Sequence, residues 1–284
     1  MADDVLDVRG RTALVTGGGG GIGLEVARQL ARRGARVAIL DVDEAAAVKA
    51  ACDIGIGVSV SDRDAMKLAV KKVQAELGPI DIVVANAGVT PKPATLRVMD
   101  DTEFDRVVGI NLTGVYNTVR PVLDDVIATR GHVVVVASVA AFAPGMAGSP
   151  YMITKAAVEQ LGRALRIELA VHGATAQVAY FGIVETAMTQ AMLDDDELGR
   201  ELGDRFPWPF SQRITARDAA VTICDGIARR SARTIAPRAW TAYALLRGLV
   251  NVGFDALLVR DKRTQRMISR LEQRATSVTG SGGC

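Results

Sequence analysis

With 284 residues, 49% hydrophobic and 23% charged, the chain can bury a large core and is too apolar to be disordered. A net charge of +2 and 4% aromatic residues argue against a nucleic-acid partner. Cys52, Cys224 and Cys284 are too scattered for a disulfide framework or a metal set, so no metal is expected; the start, MADDVLDVRG, lacks the apolar core of a secretory leader, and a cytoplasmic location is the expectation.

The first predicted strand, residues 11–16, runs into a glycine-rich turn and a helix over 22–33, with Ile22, Val26, Ala27 and Leu30 on one face. Strand two covers 36–41 and a weaker strand three 54–59. A helix over 62–77, capped by Ser61, turns Met66, Val70, Val73 and Leu77 inward. Strand four is 81–85, followed by one long helix over 102–129, bent near Pro121. Strand five, 132–137, is apolar throughout, as a parallel strand buried on both faces must be. A helix over 150–172, strand six at 174–180 and a helix over 215–230 with a Thr215/Asp218 capping box follow. A last strand is expected at 233–237. This alternation predicts right-handed βαβ units and an α/β, Rossmann-type doubly wound parallel sheet. One domain spans 1–237, with a helical extension over 238–284 that ends in a flexible tail from residue 279.

The segment Thr16-Gly-Gly-Gly-Gly-Gly-Ile-Gly23 stands between strand one and its helix. A dinucleotide pyrophosphate needs backbone N–H donors at a helix N-terminus with no side chains in the way. Gly17 serves the tight turn, while Gly21, Ile22 and Gly23 let phosphate and helix approach. Asp41 ends strand two 18 residues after Gly23. A carboxylate there accepts hydrogen bonds from the adenosine ribose and repels a 2′-phosphate, so NAD is the expected cofactor. The alternative is that Asp41 only caps the helix near Glu44.

Tyr151 and Lys155 are i and i+4 on one helix and share a face. A phenol titrates near 10, and a nearby cation lowers that value towards the working range of a base. Taken with the glycine loop, Asn86-Ala87-Gly88, Asn111 in INLTGVYN, Ser138 after strand five and Tyr151-Met-Ile-Thr-Lys155, the chain resembles the short-chain dehydrogenase/reductase family over residues 8–230. The resemblance implies hydride transfer between the nicotinamide and an alcohol or ketone carbon. In that scheme Tyr151 is the acid/base and Ser138 binds the substrate oxygen. Lys155 supports Tyr151 and the nicotinamide ribose, and Asn111 positions a water leading to Lys155. It also implies cofactor contacts at Ser59, Val60, Asn86, Ala87, Gly88, Val184 and Thr186. Two departures stand out: Phe181-Gly182 replaces the usual Pro-Gly, and Ser59-Val60 replaces an acidic pair.

The family's substrate lid corresponds to about 186–213. Here it carries Met188, Met192, Leu193, Phe206, Trp208 and Phe210, with Phe142 and Met146 in the loop before Tyr151. These side chains favour a lipophilic substrate. The alternatives are a β-ketoacyl thioester reductase, against which Asp41 counts through the NADPH usual in that role, and a non-catalytic dinucleotide-binding regulator. The family also implies a homodimer or homotetramer. Beyond residue 238, an apolar helix over 239–258 carries a polar stripe of Arg247, Asn251 and Asp255, and a basic helix covers 260–274. The stripe argues for an interface or pocket helix rather than a membrane span. Apolar and basic helices together leave peripheral contact with a membrane surface as a further expectation.

Overall fold

The β-branched runs of the chain become the strands of one parallel sheet in the computed structural model, which describes residues 5–142, 144–145, 147–204 and 208–280. The first half contains β1 (Thr12–Thr16), α1 (Gly21–Arg32), β2 (Arg36–Asp41), α2 (Glu44–Ala50), β3 (Ile54–Gly57), α3 (Arg63–Leu77) and β4 (Ile82–Ala85). Next come α4 (Asp101–Val108), α5 (Gly114–Val119), α6 (Leu123–Ala128), β5 (His132–Val136), α7 (Ser149–Ala170) and β6 (Thr175–Phe181). The remainder contains β7 (Ile183–Glu185), α8 (Ala187–Thr189), α9 (Glu197–Gly203), β8 (Arg213–Thr215), α10 (Ala216–Ala228), β9 (Arg233–Ala236), α11 (Trp240–Arg260) and α12 (Lys262–Gly280).

The seven-stranded sheet has the order β3-β2-β1-β4-β5-β6-β9, every pair parallel. The order reverses between β1 and β4, which opens a crevice at the carboxyl ends of the strands. Both faces are covered, so successive side chains of a strand enter different cores. Val133 and Val135 pack with α3, α5 and α7, while Val134 packs with α1 and α10. Each such fully buried valine stabilises by about 1.5–3 kcal/mol.

The expected long helix is present as α4, α5 and α6, joined by a π-helical turn at Gly109–Thr113 and a 3-10 turn at Arg120–Val122, where Pro121 sits. Three local readings are corrected. Asp62, not Ser61, caps α3, accepting from the Asp64 and Ala65 N–H groups; the Ser61 hydroxyl instead pairs with Ser59. Asp43, not Asp41, caps α2, a helix too short to show a periodicity. The expected tail is helical as far as Gly280, and residues 281–284, with Cys284, lie outside those described.

The extension packs on the domain. The polar stripe of α11 faces the chain's own domain. Arg247 makes two hydrogen bonds to Glu159 of α7, at 2.6 and 2.9 Å, and its guanidinium lies over the Phe142 ring. Asn251 donates to the Phe142 carbonyl at 2.6 Å and accepts from the Tyr243 hydroxyl at 2.7 Å. Asp255, the third member, is exposed. Met267 and Leu271 of α12 bury against Leu198 of α9 and Ala147 of the loop before α7.

Candidate active site

A cleft of about 430 Å³ lies at the strand carboxyl ends, bounded at one end by Gly17, Gly21 and Asp41 and at the other by Ser138, Tyr151 and Lys155. Ile22, Ser59, Val60, Asn86, Ala87, Gly88, Val184 and Thr186 also line it. Gly23 and Asn111, both singled out in the sequence, stand behind its wall rather than on it.

The glycine loop is shaped by close backbone approach. Gly17 has φ +64°, and a β-carbon there would meet the Ala87 α-carbon at 2.9 Å. A β-carbon on Gly23 would overlap the Gly17 carbonyl, and the Asn86 amide lies 2.6 Å from the same point. Asn86 fills that corner by donating to the Thr16 and Gly17 carbonyls. Gly23 therefore lets α1 pack under the loop, so that the loop and not the helix meets the cleft. No side chain caps the α1 N-terminus, which leaves its N–H groups for a bound anion. Asp41 accepts from the Gly19 N–H at 2.8 Å and the Asp43 N–H at 3.1 Å, tying the loop to the end of β2 while lining the cleft.

At the other end α7 carries Tyr151 and Lys155. Lys155 is 4% exposed, and its ammonium donates to the Val136 carbonyl at the end of β5, at 2.9 Å. Burial without a carboxylate pushes its pKa down to about 8. The ammonium lies 5.5 Å from the centre of the Tyr151 ring. From the i, i+4 spacing this cation is expected to lower the Tyr151 pKa. In the protein alone burial dominates and raises it, with the Ser138 hydroxyl drawing it back. Ser138 opens the turn after β5: its hydroxyl accepts from the Ala140 N–H at 3.1 Å and donates to the Phe181 carbonyl at 3.3 Å.

Asn111 sits in the π-helical turn and is wholly buried. Its side chain brackets the backbone of Val89, accepting from the N–H at 2.8 Å and donating to the carbonyl at 2.9 Å. It also reaches Thr154, 3.3 Å away, which donates in turn to the Tyr151 carbonyl at 2.8 Å. Thr154 is thus a supporting residue that the sequence reading missed; only its place one residue before Lys155 could have suggested it. Gly88 leaves a gap in which the Asn111 oxygen and the Lys155 ammonium would lie 3.4 and 3.5 Å from a β-carbon.

The apolar side chains expected around the substrate mostly go elsewhere. Phe142 packs on Tyr180 in the core, Phe210 on Trp240 of α11, and Leu193 is itself buried. Trp208 is 84% exposed. Met188 lines the cleft and Met192 does not, while Phe206 and Met146 lie outside the described residues. Gly182, at the changed Pro-Gly position, lies so close to Trp240 that a β-carbon would meet the indole nitrogen at 2.8 Å.

The chain matches the short chain dehydrogenase family over residues 11–197. It belongs to that family. Among curated short-chain dehydrogenase relatives it is 33% identical to "Probable oxidoreductase EphD" of Mycobacterium tuberculosis over 83% of this chain and 42% of that one. It therefore spans about two-fifths of the length of that relative. It is 32% identical to "3-oxoacyl-[acyl-carrier-protein] reductase FabG" of Escherichia coli, over 68% of this chain and 82% of that one. Solved structures agree on the fold. A short-chain dehydrogenase/reductase from Burkholderia phymatum in complex with NAD superposes with a TM-score of 0.76 at 24% identity, covering 90% of this chain and 97% of that one. A 3-ketoacyl-(acyl-carrier-protein) reductase from Brucella melitensis complexed with NADH gives 0.70 at 26%, covering 81% and 97%.

Proposed function

We propose that this protein is an NAD(H)-dependent oxidoreductase that moves a hydride between the nicotinamide and the carbon of a secondary alcohol or ketone. The observation that carries the reading is the single cleft joining a side-chain-free glycine loop to Ser138, Tyr151 and Lys155. Gly17, Gly21 and Ile22 with the uncapped α1 N-terminus suit a pyrophosphate. Asp41, followed by Val42, Asp43 and Glu44, suits a ribose with free hydroxyls and opposes a 2′-phosphate. Ser59 and Val60 serve the adenine end, and Asn86, Ala87, Gly88, Val184 and Thr186 the nicotinamide half. When bound, the nicotinamide supplies the hydride acceptor or donor.

The chain's own residues handle the proton. The Tyr151 phenolate takes the alcohol proton as the hydride departs, and the phenol returns it in reduction. Lys155 holds positive charge beside the ring and stabilises the phenolate. Ser138 donates a hydrogen bond to the substrate oxygen as charge develops there. Asn111 holds the Val89 backbone and, across the gap at Gly88, faces the Lys155 ammonium, where a water would carry protons outward.

Turnover of an alcohol and ketone panel with NAD+, NADP+ and their reduced forms tests the reading. Tyr151→Phe is expected to lower kcat by about 10²–10⁴ while NADH binding, read by fluorescence, stays within a few-fold. Native turnover in Tyr151→Phe would remove it as the acid/base. Equal kcat/KM for NADP+ and NAD+ would overturn the cofactor assignment.

A second reading is favoured by the similarity to FabG: reduction of a β-ketoacyl thioester. The Brucella reductase of that name is complexed with NADH, which weakens the objection drawn from Asp41. Acetoacetyl-CoA in the panel separates the two. A large preference for it over simple ketones would select the thioester.

A further inference from the structure

We propose that α11 lies along an anionic membrane surface, with its outward face in the boundary between headgroups and acyl chains and the basic residues at its ends on the headgroup phosphates. This inference is independent of the catalytic reading.

Two observations fix which face is available. Arg247 and Asn251 are bound to Glu159 and Phe142, and Trp240 and Tyr243 pack on Phe210, so that side of the helix is committed to the domain. The opposite side carries Leu245, Leu249 and Val252 at 62, 80 and 75% exposure, continuing to Val259 at 74%. Leu246 and Leu257 flank them, also exposed. Twenty-one helical residues extend about 30 Å. By length and composition α11 could cross a bilayer, and none of its most apolar window is buried. Crossing would strip Arg247 and Asn251 of their partners and carry a cation into hydrocarbon. Lying flat keeps both attached and buries only the uncharged face.

Charge selects the occupant. Arg238 precedes the helix and Arg260 ends it, with Lys262, Arg263 and Arg266 directly after; all five are exposed. Among the described residues none of these five side chains pairs with a carboxylate. The other arginines of α12 are engaged: Arg270 with Glu197 and Glu201, and Arg274 with Asp196. A second copy of the chain matches this face poorly. Antiparallel pairing of two α11 helices sets Arg238 against Arg260 and Lys262, and parallel pairing sets each cation against its own copy. Anionic headgroups supply phosphate along the whole length of the helix.

The test is flotation of the purified full chain with phosphatidylcholine vesicles, with and without phosphatidylglycerol, at low and high salt. The proposal expects binding to the anionic vesicles, weakened by salt. Replacing Arg260, Lys262, Arg263 and Arg266 by Gln should weaken it roughly fivefold per charge. Leu249→Glu with Val252→Glu should abolish it while the melting temperature stays unchanged, because both side chains already face water. Failure to float with anionic vesicles, or equal binding to neutral ones, overturns the proposal. So does a concentration-dependent oligomer that the Leu249/Val252 variant dissolves while vesicle binding is absent, since the face would then belong to a second copy.

Discussion

His132, the first residue of β5, is wholly buried, with Nδ1 2.7 Å from the Thr175 hydroxyl and Nε2 3.3 Å from the Gln177 side-chain amide oxygen Oε1. Burial, with the charges of Arg230 and Arg166, holds its pKa down to about 3, against an ordinary 6.5. The folded chain keeps this imidazole neutral where the unfolded chain takes up a proton. Its contribution to stability is therefore full above pH 6.5 and is lost as pH falls from there towards 3. At pH 5 the loss is about 2 kcal/mol. Urea unfolding at pH 7.5 and pH 5 checks this. His132→Gln should show a smaller drop between the two than the native protein, by about that amount. Identical drops would mean that carboxylates alone set the acid limit.

Among the elements, α11 owes part of its docking to one ion pair, beside the Asn251 hydrogen bond to Phe142 and the packing of Trp240 and Tyr243 on Phe210. The Glu159 side chain is 6% exposed and Arg247 29%. Removing the guanidinium leaves a buried carboxylate, at a cost of about 3–5 kcal/mol in general. Arg163 stands 3.9 Å from the same carboxylate, which places the expected cost of Arg247→Ala near the lower figure. Glu159→Gln in that background should recover part of the loss, because a neutral amide needs no cation. Denaturant titration of the native protein and the two variants measures it. A cost below 1 kcal/mol for Arg247→Ala would show that solvent or Arg163 satisfies Glu159.

At the scale of the whole molecule α12 ties helix α9 to the segment leading to α4. Glu272 bonds to Thr95 and Arg97 in the segment leading to α4, while Arg270, Arg274, Met267 and Leu271 hold α9, within the segment expected to form the substrate lid. Lids are drawn from the less stable parts of a fold, and added packing limits their opening. Deleting the chain after Asp261 should loosen α9 without unfolding the sheet. Amide exchange in residues 190–203 is expected to quicken at least tenfold, while β5 and β6 stay protected. Unchanged exchange in the lid would show that α12 contributes nothing to its closure.

Periodicity alone determined the alternating strands and helices, because both faces of a parallel sheet are covered and its strands must be apolar throughout. Spacing alone determined the glycine loop, the Tyr151/Lys155 pair and the acid at the end of β2, since each rests on residues near in sequence. Tertiary structure decided what distance in sequence conceals. Asn111 meets Val89 and Thr154 only because a π-helical turn re-aims it, and no residue type announces that turn. Gly23, read by motif as letting phosphate and helix approach, has the Gly17 carbonyl and the Asn86 amide as its close neighbours, which only the fold reveals. Phe142 and Phe210, read as substrate contacts by type, are taken by Tyr180 and Trp240. The stripe of Arg247 and Asn251 was plain in the sequence; its partners, Glu159 and Phe142, were not. A helix's polar face says that something must satisfy it, and only the fold says whether that is lipid, a second chain or the protein's own domain.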